Sequence, residues 1–129
     1  MLATCLDMQA ISTRLDGDDV RTAELLRESV GIAGMLRDNF NAVYCATGLA
    51  GVADRQGQAE RAARLFGTAD ALSKKTGAQV SWSLWRSLNE LDLASTRAML
   101  DSDAFAEAWA RGRAMSLEEA VAEALVEDA

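Results

Sequence analysis

The sequence predicts an all-α protein folded as a stack of helical hairpins, with about seven helices in all, and three observations lead there. Proline is absent, while alanine, leucine, arginine and glutamate recur throughout, and these residues lose little entropy in a helix. β-Branched residues gather nowhere into a run that would favour a strand. Most telling, the chain overlays itself when shifted by 40 residues: Cys5 falls on Cys45, Ala10 on Ala50, Gly17 on Gly57, Arg21 on Arg61, Ala23 on Ala63 and Leu25 on Leu65. Ala3 then meets Val43, Leu26 meets Phe66 and Ile32 meets Leu72, all conservative apolar pairs. A fixed period marks a repeat architecture, and the coincidence of a turn glycine with its flanking pattern outweighs shared alanines in an alanine-rich chain.

The first helix is expected over about 2–15, closed by the turn Asp16-Gly17-Asp18, whose second acid is placed to cap the next helix. That second helix runs over about 19–36 with Ala23, Leu26, Val30 and Ala33 on one face, and Arg37-Asp38-Asn39 breaks it. The next pair covers about 40–56 and 59–76. Gly77 then comes after Lys74 and Lys75, a glycine cap behind cations that suit the helix dipole. A fifth helix over about 80–100 would bury the stripe Leu84, Leu88, Leu91 and Ala98. Asp101-Ser102 restarts the chain, and Phe105 and Trp109 mark the buried face of a short helix to Arg113. Ser116 and Glu119 form a capping box ahead of Ala120, Val121, Ala124 and Leu125. The reading is one domain over 1–129, with two hairpins in 1–78 and C-terminal capping helices in 79–129.

Composition excludes several classes of function. Half the residues are hydrophobic and about a quarter are charged in both signs, which is the balance of a folded domain. The formal charge is −7, so a phosphate backbone would be repelled, and no cluster of basic residues offers relief. Direct binding to nucleic acid is not expected. No stretch approaches the roughly 20 apolar residues that cross a bilayer, and the apolar start of the chain carries Asp7 without a basic leader. Two cysteines give no disulfide framework, and a reducing cytoplasm fits best. Histidine, the commonest general base and metal ligand, is missing altogether, which argues against an enzyme.

The remaining chemistry-bearing residues have structural readings beside functional ones. Asp18 and Asp103 sit where caps are needed, and Glu118, Glu119 and Glu123 read as a solvated helix face. Cys5 and Cys45 occupy equivalent positions of neighbouring helices, about 8–10 Å apart, beyond the roughly 7 Å reach of a disulfide. They read as small buried hydrophobes, and further ligands for a metal are missing. No cofactor is expected. Gly48 and Gly51, among Ala42, Ala46, Ala50 and Ala53, make one helix small-sided, either for close packing or as a groove floor on which a ligand backbone rests.

Gly17-Asp18-Asp19 followed by Thr22, Leu26 and Ser29 is similar to the second helix of a tetratricopeptide repeat, as is Gly57 followed by Ala62, Phe66 and Ala69. The stretch from Phe105 to Leu125 resembles the extreme C-terminus of large bacterial regulators of the LuxR or ATPase type. Two features of such regulators are absent from this sequence: proline in the loop at 77–81, and any phosphate-binding loop or basic recognition helix. The tetratricopeptide resemblance implies that first helices line a concave face. Asp7, Ile11 and Arg14 would then sit beside Tyr44, Thr47, Asp54 and Arg55, with Trp82, Trp85, Arg86 and Asn89 extending the wall; for the two tryptophans a core position is the alternative. Side chains on such a face would be exposed and carry little folding energy. The expected function is a protein-interaction or regulatory module docking a peptide or protein partner there, with a small-molecule effector in the same groove as the alternative. Because Leu2, Leu6 and Ile11 need cover that no earlier helix provides, self-association through the first helix pair is expected, or a longer parent chain.

Overall fold

The computed structural model describes residues 2–36, 39–77, 83–116, 119 and 122. Among these residues six helices run in chain order: α1 (Leu2–Leu15), α2 (Asp19–Leu36), α3 (Asn39–Arg55), α4 (Ala59–Thr76), α5 (Ser83–Met99) and α6 (Ser102–Arg113). Among the described residues there is no strand. The seventh helix expected after Ser116 falls mostly outside the described residues, but its start is there: the Glu119 N–H donates to Ser116 Oγ at 3.1 Å and the Ser116 N–H to Glu119 Oε1 at 3.2 Å. This is the reciprocal capping box.

The forty-residue offset extends to individual hydrogen bonds. Gly17 and Gly57 take φ of 82° and 80°, a left-handed conformation that costs other residues about 1–2 kcal/mol. The glycine N–H donates to Arg14 O or Asp54 O, and the next N–H donates to Thr13 O or Ala53 O. The two turns differ in how the residue after the glycine caps the next helix. Asp18 accepts the Arg21 N–H at 3.0 Å, whereas Gln58 makes no side-chain cap and leaves its Oε1 buried without a partner. At α6, Asp101 accepts the Ala104 N–H at 2.7 Å. Asp101→Ala is expected to cost about 1 kcal/mol, read as a lower urea midpoint at unchanged slope.

The main core joins Leu6, Ala10 and Ile11 of α1, Leu25, Leu26 and Val30 of α2, Cys45, Leu49 and Val52 of α3, and Leu65 and Phe66 of α4. Trp85 of α5 closes it. Helix α5 runs beside α3 and α6 beside α4, each pair pointing the same way. The partners that show this are Thr47 with Trp85 and Asp54 with Thr96, then Thr68 with Gly112 and Asp70 with Arg113. The α4–α6 contact is made backbone to backbone. A methyl group on Gly67 would overlap the Trp109 carbonyl, and one on Gly112 would overlap the Arg64 carbonyl. Thr68 Oγ1 donates to Gly112 O at 3.0 Å across the same contact.

Helix α5 departs from its expected orientation. Leu84 and Leu91 are 41% and 67% exposed, while Trp85, Asp92 and Thr96 are buried. The surface that receives α5 explains the reversal, because α3 offers it Thr47, Gly48, Gly51 and Asp54, which are small or polar. An indole N–H, a carboxylate and a hydroxyl find partners there, whereas leucines would leave Asp54 and the nearby arginines without theirs. Leu91→Gln is therefore expected to change stability by less than about 0.5 kcal/mol in denaturant titration; burial of the leucine stripe would demand several times more.

Candidate functional site

Along one side of the stack, α1, α3 and α5 bring together Arg14, Tyr44, Thr47, Asp54 and Arg55, five of the residues that the sequence placed on a concave face. Asp92 of α5 is the centre. Arg14 of α1 reaches it with both terminal nitrogens, Nη1 to Oδ2 at 2.5 Å and Nη2 to Oδ1 at 2.9 Å, the bidentate fork that guanidinium geometry favours. Arg55 of α3 adds Nη1 to Oδ1 at 3.3 Å and turns its Nε to Asp19 of α2 at 2.7 Å. Four helices thus meet through two arginines and two aspartates. Asp92 can lie so deep, its side chain 7% exposed, because Gly51 lies beneath it: a methyl group there would overlap the carboxylate.

A second group flanks this network along α5. Trp85 Nε1 donates to Thr47 Oγ1 at 3.1 Å in a buried bond, and the Trp85 ring meets Tyr44 edge to face with centroids 5.2 Å apart. Gly48 accommodates the Trp85 and Leu26 side chains. Thr96 Oγ1 donates to Asp54 Oδ1 at 2.9 Å, again buried. The small residues of α3 therefore serve close packing and, at Gly51, act as a floor under a carboxylate of the chain itself.

The predicted residues divide clearly. Arg14, Tyr44, Thr47, Asp54 and Arg55 converge with α5, but they are engaged with it, which corrects the picture of an exposed surface free of folding energy. Ile11, 7% exposed, belongs to the core. Trp85 is buried, and Arg86 and Asn89 line a groove that Thr47 also borders. The Asp7 and Cys5 side chains, Trp82, Glu118 and Glu123 lie outside the described residues, and Cys45 is buried in the core. Sequence reasoning missed Asp92 and Thr96. The available signal was an acid placed between Leu91 and Leu93, where a purely apolar packing face would not put one.

That groove lies between α3, α4 and α5 and has a volume of about 320 Å³. Val43, Phe66, Ala69 and Leu93 give it apolar walls, with Arg86, Asn89, Glu90 and Asp70 around them. The described residues contain no group of three His, Cys, Asp or Glu placed to hold a metal ion, and none of their helices is long and apolar enough to cross a membrane.

Fold and site together define an all-helical hairpin stack whose inner side is organised by charge and hydrogen bonding. Three curated proteins, one of Mycobacterium bovis and two of Mycobacterium tuberculosis, all named as HTH-type transcriptional regulators, are each 36% identical to the chain over 74 residues. That stretch is 57% of this chain and 8% of each relative, so the chain resembles a small part of much longer proteins. No family profile matches the chain, and no solved structure matches it.

Proposed function

We propose that the chain is a non-catalytic regulatory module, the C-terminal helical segment of a bacterial transcriptional regulator or a free-standing relative, which docks a peptide or protein partner on the inner face built by α1, α3 and α5. The similarity to HTH-type regulators carries the regulatory part of this reading. The convergence of Arg14 and Arg55 on one carboxylate supports the docking part, since arginine and aromatic side chains dominate recognition energetics. The first hairpin leaves Met8, Leu15, Val20 and Met35 exposed, and a neighbouring helical segment or a second copy is assigned to that side. The cytoplasm is the fitting compartment, and direct contact with nucleic acid or membrane forms no part of the role.

The test is genetic and biophysical together. Deleting the coding segment in its host should change transcript levels, and the chain carrying Tyr44→Ala with Arg55→Ala, confirmed folded by circular dichroism, should fail to restore them. An unchanged transcript profile on deletion would remove the regulatory role. Full restoration by the double variant would move the docking face elsewhere.

A small-molecule effector is the second reading, and the 320 Å³ groove favours it, being at the lower end of the roughly 300–1,000 Å³ typical of ligand sites. Ser73→Trp at its edge would then abolish an effector response and leave inner-face docking intact.

A further inference from the structure

Helix α5 is an excursion of the chain between two helices that hold each other directly. Helix α6 is bound to α4 through the Gly67 and Gly112 contacts, the Thr68–Gly112 hydrogen bond and the Arg113–Asp70 ion pair. Helix α5 can therefore leave its place without parting α4 from α6. What holds it is one buried indole, the half-buried Leu88 and Leu93, the Arg97 guanidinium 4.9 Å over the Phe105 ring of α6, and a set of polar contacts. Leu84, Leu91 and Met99 remain exposed. Elements with few buried apolar contacts open at the low end of a protein's local stability.

The place it would leave has a definite chemistry. Without Asp92, Arg14 loses its bidentate partner beside Gly51, and Arg55 keeps its contact with Asp19. Two converging guanidiniums over a floor that excludes side chains select a carboxylate in bidentate geometry. Thr47 Oγ1, about two helix turns before Arg55 on the same helix, selects a ring carrying an N–H. The spacing of Trp85 and Asp92, seven residues or two turns of helix, specifies how the two groups must be carried.

We propose that this seat is a binding site for an amphipathic helix of a partner protein, one presenting an indole and a carboxylate seven residues apart, and that α5 is the resident occupant the partner displaces. The proposal rests on the reading of the inner face as a docking surface, narrows that surface to α1 and α3 with α5 as its cover, and adds the chemistry of the partner and the means of regulation. Helix α5 keeps the site filled, its arginines neutralised, until a helix with a better apolar face competes for Arg14, Arg55 and Thr47.

The probe is a fluorescent synthetic peptide with the sequence of residues 83–99, titrated into the full chain. Wild-type protein should capture it weakly, and the Asp92→Ser protein at least tenfold more tightly. A peptide carrying Asp92→Asn should bind that variant at least tenfold more weakly than the native peptide, and adding Arg14→Gln to the protein should remove the difference. Equal binding of the two peptides, or no binding to a variant that keeps its helicity, overturns the proposal. Hydrogen exchange on the wild-type chain tests the same idea independently, whatever the fate of the variants. Amides of α5 should exchange at least tenfold faster than those of α3 and α4; exchange of all three helices together would make α5 a fixed part of the core and end the proposal. These measurements do not involve transcription, so peptide capture with an unchanged transcript profile would retire the regulatory role and keep the site.

Discussion

Replacing Phe66 by alanine is expected to lower the stability of the domain by about 3–5 kcal/mol. Phe66 is 4% exposed, packs in the main core and also forms a wall of the groove between α3, α4 and α5. Removing its ring forfeits the burial of a large apolar side chain and joins the vacated space to an existing groove, which surrounding helices cannot close without moving Leu26 or Leu65. For a domain of this size the loss corresponds to a fall in melting temperature on the order of 10–20 °C, measurable by thermal circular dichroism. A loss below about 1 kcal/mol would show that α5 collapses into the site and that the groove is not a built feature.

Gly112→Val is expected to be comparably severe, about 3 kcal/mol or more, although the residue contributes no side chain to any core. The first carbon of any larger residue would meet the Arg64 carbonyl and the Thr68 N–H, both backbone groups of α4. Neither can turn aside as a flexible side chain would. Helix α6 must then move outward, breaking the Thr68 hydrogen bond to Gly112 O and the ion pair of Arg113 with Asp70. A urea titration of Gly112→Val beside Leu91→Gln makes the contrast plain: the buried glycine should matter greatly and the exposed leucine hardly at all.

The helices, their turns and most of their caps were legible in the sequence because their causes are local. A left-handed glycine at 17 and again at 57, an aspartate one residue after the first, Asp101 before α6, and Ser116 with Glu119 each act within a few residues of themselves. The all-α class arises from the same local preferences summed along the chain, and comparing the chain with itself placed equivalent glycine turns at 17 and 57. Similarity to HTH-type regulators agrees with the kind of protein that the C-terminal residues from Phe105 onward resemble.

The inner face was legible only as a set of residues. Arg14, Tyr44, Thr47, Asp54, Arg55 and Trp85 do assemble, but the periodicity of α5 pointed its leucines inward and left Asp92 and Thr96 unnoticed. Hydrophobic periodicity identifies a buried face only where the receiving surface is itself apolar. Here α3 receives α5 with Thr47, Gly48, Gly51 and Asp54, so the polar side of α5 turns inward while Leu84 and Leu91 stay out.

By itself, then, the sequence determined which segments are helices and where they turn, since each depends on neighbours a few positions away. Only the tertiary structure decided that Arg14 meets a carboxylate 78 residues further on, that α5 occupies the face, and that Gly51 makes room for its charge. Those outcomes depend on the shape and polarity of a surface assembled from four helices, and a buried carboxylate goes where two guanidiniums can reach it because the cost of burying it alone exceeds what any local preference supplies.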